Sequence, residues 1–250
     1  MKKLLVLALA AMCMANACMS EVTVCALPDN QNPMKMTPAL FAGASAELID
    51  SLGVQDGIPS SLCSYLVQKD GKNILIDSGN GNEDSQLIPA LKVHGLVPED
   101  IDYVLLTHLH GDHTGGMTKA GEAVFTNAEV YINKVEYEGW GNVPESEMGK
   151  AYDGRIVLFD ADSDLPCGIK AVKAYGHTPG HTMYRVNDIL FAGDIMHAVA
   201  LQLADPDICA RFDQDQEASA SSRKALLEYA AEEGLKVYGA HFPEPYYLQF

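Results

Sequence analysis

Apolar positions along this chain fall in short runs divided by turn residues, and few stretches carry the longer period of a helix. Ser61 to Gln68 alternates apolar and polar side chains as a half-buried strand does. Asp70-Gly71 is a hairpin signal, and Asn73 to Asp77 returns as the second strand of that hairpin. Asp77-Ser78-Gly79-Asn80-Gly81 then turns the chain. Tyr103 to Leu106 is a continuous apolar run that reads as a buried strand, and Val124 to Ile132, Ile156 to Phe159 and Ile169 to Ala174 read as further strands. Met183 to Val186 and Ile189 to Ala192 pair across Asn187-Asp188, with Gly193-Asp194 at the far end. Leu235 to Ala240 is a closing strand that ends on His241.

Helical spacing appears at Leu87 to His94 and at Asp213 to Glu233. The second has Asp or Gln available as caps and Ala225, Leu226, Tyr229 and Ala230 along one face. Residues 21–60 show neither period and read as irregular, with Met34, Met36 and Phe41 as candidate pocket-lining groups. Strands that end in loops bearing His or Asp, with helices between them, predict an α+β fold of two sheets sandwiched by helices. No composition break or repeat argues for a second domain in residues 18–250.

The loop after Tyr103 to Leu106 carries the chemistry. In Thr107-His108-Leu109-His110-Gly111-Asp112-His113, four side chains able to bind a metal fall within six residues. Imidazole nitrogens and a carboxylate oxygen suit zinc and its first-row neighbours. In extended backbone His108 and His110 point to one side and can reach one ion. Gly111, lacking a Cβ, is expected to let the backbone turn sharply and swing Asp112 and His113 towards a second position. Gly176-His177-Thr178-Pro179-Gly180-His181 is a turn-rich loop between two strands, and Asp194 and His241 each stand at a strand end. Singly, each has a mundane reading as a hydrogen-bonded polar residue. Their shared placement after strands makes them candidate ligands.

Composition narrows the partners. At 250 residues and 48% apolar, the chain has the content of one large domain. Its formal net charge of −17 excludes the electrostatic footprint of a nucleic-acid binder and suits neutral or weakly polar small-molecule substrates better than polyphosphates. Met1-Lys2-Lys3 before the apolar Leu4 to Met12, with Ala15-Asn16-Ala17 as cleavage site, reads as a signal peptide over residues 1–17. The protein is therefore expected to be exported, periplasmic or secreted. The apolar stretch is too short for a membrane span. A lipid anchor at Cys18 is the minority reading, because Ala15 replaces the larger aliphatic residue usual in lipoprotein signals. The six cysteines show no C-x-x-C spacing and read as buried small residues or as one or two bridges. The oligomeric state stays open, a homodimer included.

Taken together, Ile74-Leu75-Ile76-Asp77-Ser78-Gly79, the His108–His113 loop, Gly176-His177, Gly193-Asp194 and His241 resemble the metallo-β-lactamase-fold superfamily of hydrolases. Gly193-Asp194-Ile195-Met196-His197, Gln202 to Pro206, Arg211-Phe212-Asp213 and Ala240 to Pro243 are similar to its exported branch of methyl parathion hydrolases and related lactonases. The resemblance implies an αββα sandwich with a dinuclear centre holding two divalent ions, zinc by default. One ion would take His108, His110 and His177. The other would take Asp112, His113 and His241, with Asp194 bridging. Asp77 would orient a ligand histidine, and His181 would have a supporting role.

Such a centre implies a metal-dependent hydrolase that cleaves a neutral lactone, ester or phosphotriester with an activated hydroxide. The apolar pocket would come from residues 34–60 and 195–212. Asp112 and Asp194 would guide the hydroxide or take its proton. The lactonases of this fold place a Tyr three residues after the bridging Asp. Here that position is His197, a candidate to bind the oxyanion or protonate the leaving group. Alternative readings are a β-lactam hydrolase, a non-catalytic metal store, and a di-iron redox module, whose relatives carry an acidic residue where His110 stands.

Overall fold

The computed structural model describes residues 21–250, so the expected signal peptide, Cys13 and Cys18 lie outside the described residues. Eleven strands make two sheets. The first contains β1 (Thr23–Pro28), β2 (Cys63–Lys69), β3 (Lys72–Ile76), β4 (Tyr103–Leu105), β5 (Glu129–Asn133) and β6 (Ile156–Phe159), side by side in that order. The second contains β7 (Lys170–Lys173), β8 (Thr182–Val186), β9 (Ile189–Phe191), β10 (Lys236–Tyr238) and β11 (Tyr247–Gln249), again in chain order. Pairing is antiparallel from β1 to β3, parallel from β3 to β6, and antiparallel throughout the second sheet except between β9 and β10. The helices are α1 (Ala46–Ser51), α2 (Leu87–Val93), α3 (Gly111–Thr114), α4 (Lys134–Trp140), α5 (Glu147–Ala151), α6 (Val199–Ala204) and α7 (Gln216–Glu233).

The layers follow from side-chain alternation. Tyr65, Val67, Ile74, Ile76 and Leu105 point between the sheets, where they meet Ala171, Tyr184, Val186, Phe191 and Tyr238. The intervening Leu66, Leu75 and Val104 face outward and pack with Leu87 and Leu91 of α2. On the opposite side, Leu190 and Val237 pack with Leu226 and Ala230 of α7. Strands buried on both faces carry nearly unbroken apolar runs. That is why Leu75-Ile76 and Val104-Leu105 are entirely apolar. The result is the four-layer αββα sandwich.

Both predicted hairpins form. Asp70 and Gly71 take left-handed φ of 54° and 74° between the paired Lys69 and Lys72, and Asn187 takes 53° in the turn between the paired Val186 and Ile189. Several elements depart from expectation. Residues 21–60 are not irregular throughout: Thr23–Pro28 adds an edge strand along β2, and Ala46–Ser51 is a helix capped by the Ser45 side chain. Cys25 and Ala26 give that strand little hydrophobic contrast, and Pro28 fits only because the strand is an edge. The fifth strand begins at Glu129 rather than Val124, because Ala128 N–H bonds Phe125 O in a turn. Helix α7 starts after Asp215, whose carboxylate accepts from Ala218 N. Asp213 therefore lies outside the helix, and Ala225 is exposed while Arg223 is buried in its place.

The four described cysteines, Cys25, Cys63, Cys167 and Cys209, are all free thiols, so no bridge forms among the described residues. No helix among them is long and apolar enough to cross a membrane.

Candidate metal centre

Each candidate residue sits just past the end of a strand, at the same edge of the sandwich. Strand β4 ends at Leu105 and leads into His108, β7 leads into His177, β9 into Asp194 and β10 into His241. Asp194 is the hub. Its Oδ2 lies 3.7 Å from His108 Nε2, 3.4 Å from His177 Nε2, 3.2 Å from His241 Nε2 and 3.0 Å from His197 Nε2, while its Oδ1 lies 3.1 Å from His113 Nε2. Two groups share it. His108, His110, His177 and Asp194 present ligand atoms within 4.8 Å of one another, and so do Asp112, His113, Asp194 and His241. All seven residues expected from the sequence are thus brought together.

The backbone of the hub is itself held. Gly193 has φ of +53°, and a Cβ there would come within 2.6 Å of His181 Nε2. That nitrogen accepts the Asp194 N–H at 2.9 Å, while His181 Nδ1 pairs with Ala174 O. His181 accordingly supports Asp194 from behind and does not face the other imidazoles' ligand nitrogens.

Hydrogen bonds to the far ring nitrogens fix which nitrogen faces the centre. His113 Nδ1 pairs with Asp77 Oδ2 at 2.8 Å, His177 Nδ1 with Asp213 Oδ1 at 2.8 Å, and His241 Nδ1 with Ser61 O at 2.8 Å. A ring N–H donated outward turns Nε2 to the centre, where its lone pair is open to a proton or to a metal cation. Asp77 also receives Thr107 N–H and Thr107 Oγ1–H, so it holds the start of the His108 loop as well as His113. The helical spacing of the sequence places Asp213 in the helix. Asp213 instead orients His177 and is held by Ala210 N and Ser219 Oγ. Only the contact across 36 positions identifies this role, and nothing in the local pattern marks it.

Gly111 departs from expectation. It opens α3 in ordinary right-handed backbone, and a Cβ at this position would meet nothing within 4 Å. The turn that brings Asp112 and His113 round is the first turn of that helix, with His113 N–H bonded to His110 O, and it does not need glycine. What Gly111 leaves is open space on the wall of a cavity of about 380 Å³ lined also by Met36, Asp112, His197 and Phe212. Of the expected pocket residues Met36 lines this cavity, whereas Phe41 is buried in a separate core and Met34 lines another cleft.

The electrostatics and the donor set fit cations. His108 Nε2 and His177 Nε2 approach His110 Nδ1 to 2.9 and 3.0 Å, three imidazole nitrogens converging on one point. Burial holds the His108 imidazole well below its ordinary range, with His113 adding to that effect, so it stays neutral and keeps its lone pair. Around Asp194 the balance is reversed. Burial opposes charge on His113 and His241, yet Asp194 overrides it, with Asp77 aiding at His113 and Asp112 at His241. His113 is raised well above its usual range and His241 to about 10. Burial likewise opposes ionisation of Asp194 and Asp112, but His113 and His241 outweigh it. Asp194 falls well below the carboxylate range and Asp112 to about 2. The carboxylates therefore draw positive charge into this cluster. Among the described residues, three buried side-chain atoms lack a hydrogen-bond partner: His113 Nε2, Asp194 Oδ1 and His197 Nδ1. The first two face each other at 3.1 Å, outside hydrogen-bond geometry, as two ligands of one cation would.

His197 is buried beside this cluster. Its Nε2 meets Asp194 Oδ2, its ring stacks on His241 with centroids 4.9 Å apart, and Phe212 packs edge-on against it at 4.9 Å. Burial holds its imidazole down at about 4, so it is neutral at pH 7.

Comparison with known proteins agrees with this architecture. The family described as the metallo-beta-lactamase superfamily matches residues 63–241. An N-acyl homoserine lactonase of a Bacillus species is 28% identical over 106 residues, which cover 40% of this chain and 38% of that relative's length. The chain thus spans well under half of the lactonase it matches. Among solved structures, hydrolase AbOPH of the beta lactamase superfamily superposes with a TM-score of 0.79 at 28% identity, covering 91% of this chain and 89% of that one. The fold is also that of AidC, a dizinc quorum-quenching lactonase in complex with a product, at a TM-score of 0.81 and 24% identity, over 92% and 90% of the two chains. With the family matched over residues 63–241, well over half of its length, the chain belongs to the metallo-beta-lactamase superfamily.

Proposed function

We propose that this protein is a metal-dependent hydrolase, carrying two divalent ions, zinc by default, that cleaves a neutral lactone, ester or phosphotriester. The observation that carries the proposal is the convergence of six candidate ligand side chains around Asp194 in two overlapping groups. His108, His110 and His177 would hold one ion, Asp112, His113 and His241 the other, with Asp194 between them. Bound there, such ions supply Lewis acidity and lower the pKa of a water towards about 7.

The chain's own residues divide the remaining work. Asp112 is ionised at neutral pH, and its side chain is 41% exposed at the cavity wall, so it can orient an attacking water or accept its proton. Asp194, fully enclosed by imidazoles, serves as a fixed negative anchor. Met36 and Phe212 give the cavity apolar walls suited to an uncharged substrate and able to exclude bulk water. His197 presents Nε2 to Asp194 beside that cavity. A donor there holds the carboxylate in place and lies close enough to serve an oxygen on which charge develops. His197→Phe is therefore expected to lower kcat on the order of 10²-fold with metal content unchanged. Unaltered kinetics in that variant would remove His197 from the mechanism.

His110 argues against the redox alternative, because it places an imidazole nitrogen among His108 and His177 where the di-iron relatives carry an acidic side chain. We further propose that the protein is exported and that residues 18–250 form its single domain, on the strength of the charged and apolar pattern of residues 1–17. The test of function is metal content together with a screen of acyl-homoserine lactones, aryl esters, a phosphotriester and a β-lactam. Two ions per chain with lactone, ester or phosphotriester turnover lost on chelation is the expected result. Iron with oxygen consumption and no hydrolysis would overturn it.

A further inference from the structure

Glu136 is a buried acidic residue outside the ligand set, 1% exposed, on the first turn of α4. Its Oε1 accepts Leu109 N–H at 2.9 Å and the Trp140 indole N–H at 2.8 Å. Its Oε2 accepts Thr178 Oγ1–H and Gly180 N–H, both at 2.8 Å. Four donors from three segments satisfy one carboxyl group. Leu109 lies between His108 and His110, and Thr178 follows His177. The carboxyl group thus bridges the two loops that deliver those three imidazoles.

The packing around it points the same way. A Cβ on Gly180 would overlap the backbone nitrogen of Glu136, so the loop is pressed directly onto the start of α4. One turn on, a Cβ on Gly139 would crowd Pro179 at 3.1 Å. At the head of the helix, Asn133 caps Val135 N–H with its Oδ1 and donates from Nδ2 to Thr182 Oγ1 at 3.0 Å. The other half of the centre is held elsewhere: His113 by Asp77, and His241 by Ser61 O.

From this asymmetry we infer that Glu136 is a positioning residue for one half of the centre. It sets the spacing of the His108–His110 loop against the His177 loop, and hence the affinity for a cation at His108, His110 and His177, leaving the Asp112, His113, His241 half to other contacts. The inference rests on the metal-binding reading above and adds to it a division of labour between two sets of supporting residues.

Glu136→Gln tests it. An amide at this position cannot accept four donors. Whichever way it is flipped, its NH₂ faces either Leu109 N–H or Gly180 N–H. Titration of the whole protein with Zn²⁺ alone against a competing chelator should show one of two binding steps weakened by about 10–100-fold, the size expected when a ligand loses its outer support. The other step should stay close to wild type. Equal weakening of both steps, or of neither, would overturn the inference. Amide hydrogen exchange on the metal-free protein reads the clamp without any metal: Leu109 and Gly180 should lose protection in the variant while Thr107 keeps it, and unchanged protection would count against the clamp.

Failure of wild type to bind Zn²⁺ would sink the metal reading and leave exchange to judge the clamp. Should Glu136→Gln not fold, Thr178→Val removes a single donor and must give the same one-sided weakening, to a smaller extent. A two-sided loss there would refute the assignment.

Discussion

Asp194→Ala is expected to abolish hydrolysis and to lower metal content from two ions per chain towards one. Five imidazole Nε2 atoms lie within 3.7 Å of this one carboxylate, and both ligand groups include it. No neighbouring side chain can replace an anion at that point, since Asp112 reaches only His113 and His241, at 3.8 and 3.5 Å. Loss of metal assistance worth several kcal/mol corresponds to a rate decrease on the order of 10³-fold or more. Elemental analysis of the purified variant, alongside kcat/KM on whichever substrate the wild type turns over, measures both parts. Two firmly held ions in the variant would contradict the bridging role, and retained turnover would contradict the mechanism. Asp194→Asn is the sharper version. It keeps the volume of the side chain and removes its charge, so a loss of metal there reports electrostatics and ligation with packing preserved.

The second large effect concerns stability. Arg223 is fully buried on α7, and its guanidinium donates to the carbonyls of Pro206, Ile195 and Ile208 at 2.7–2.9 Å and to Cys209 Sγ. It straps down the segment between Asp194 and α7 that also carries His197 and Phe212. Replacement by Met keeps much of the apolar stem and withdraws every donor. The buried Ile195 carbonyl would lose its donor outright, the half-buried Pro206 carbonyl could turn to water, and Ile208 O would keep Gln202 Nε2. At about 1–3 kcal/mol per group left short, this predicts a loss of roughly 2–4 kcal/mol. Urea unfolding with an unchanged m-value would register this as a lower midpoint. A change below about 1 kcal/mol would mean that water reaches those carbonyls and that the strap is unimportant. Arg223→Lys should recover little, because a single ammonium cannot reproduce the planar fork that reaches three carbonyls at once.

Arg223 also illustrates why parts of the fold are illegible in the amino-acid order. Within the helical period of residues 216–233 an arginine reads as a solvent-facing position, and Ala225 as an apolar one. The structure reverses both, because a long connection whose carbonyls accept from the Arg223 guanidinium packs against that face of the helix. Thr23–Pro28 was likewise hidden. Its Cys and Ala side chains give weak contrast, and it becomes a strand only because the exposed edge of β2 offers it partners. The hairpins at Asp70-Gly71 and Asn187-Asp188 were legible for the opposite reason, since their left-handed residues are a local requirement of the turn itself.

The centre shows the same division. The types and spacing of His108, His110, Asp112 and His113 are local facts, and the resemblance to a known superfamily extends the candidate set to His177, Asp194 and His241. The sequence by itself therefore determined the candidate ligand types, the buried strands and their turns, since each depends on neighbours within a few residues. Only the tertiary structure decided which groups stand behind the candidate ligands: Asp213 beside His177, Asp77 beside His113, His181 under Asp194, Glu136 across two loops. It also decided that Gly111 provides space and not a turn. Those roles are fixed by hydrogen bonds and packing between segments tens of residues apart. Burial gives such contacts their strength, and it arises only when the two sheets and their helices close around them.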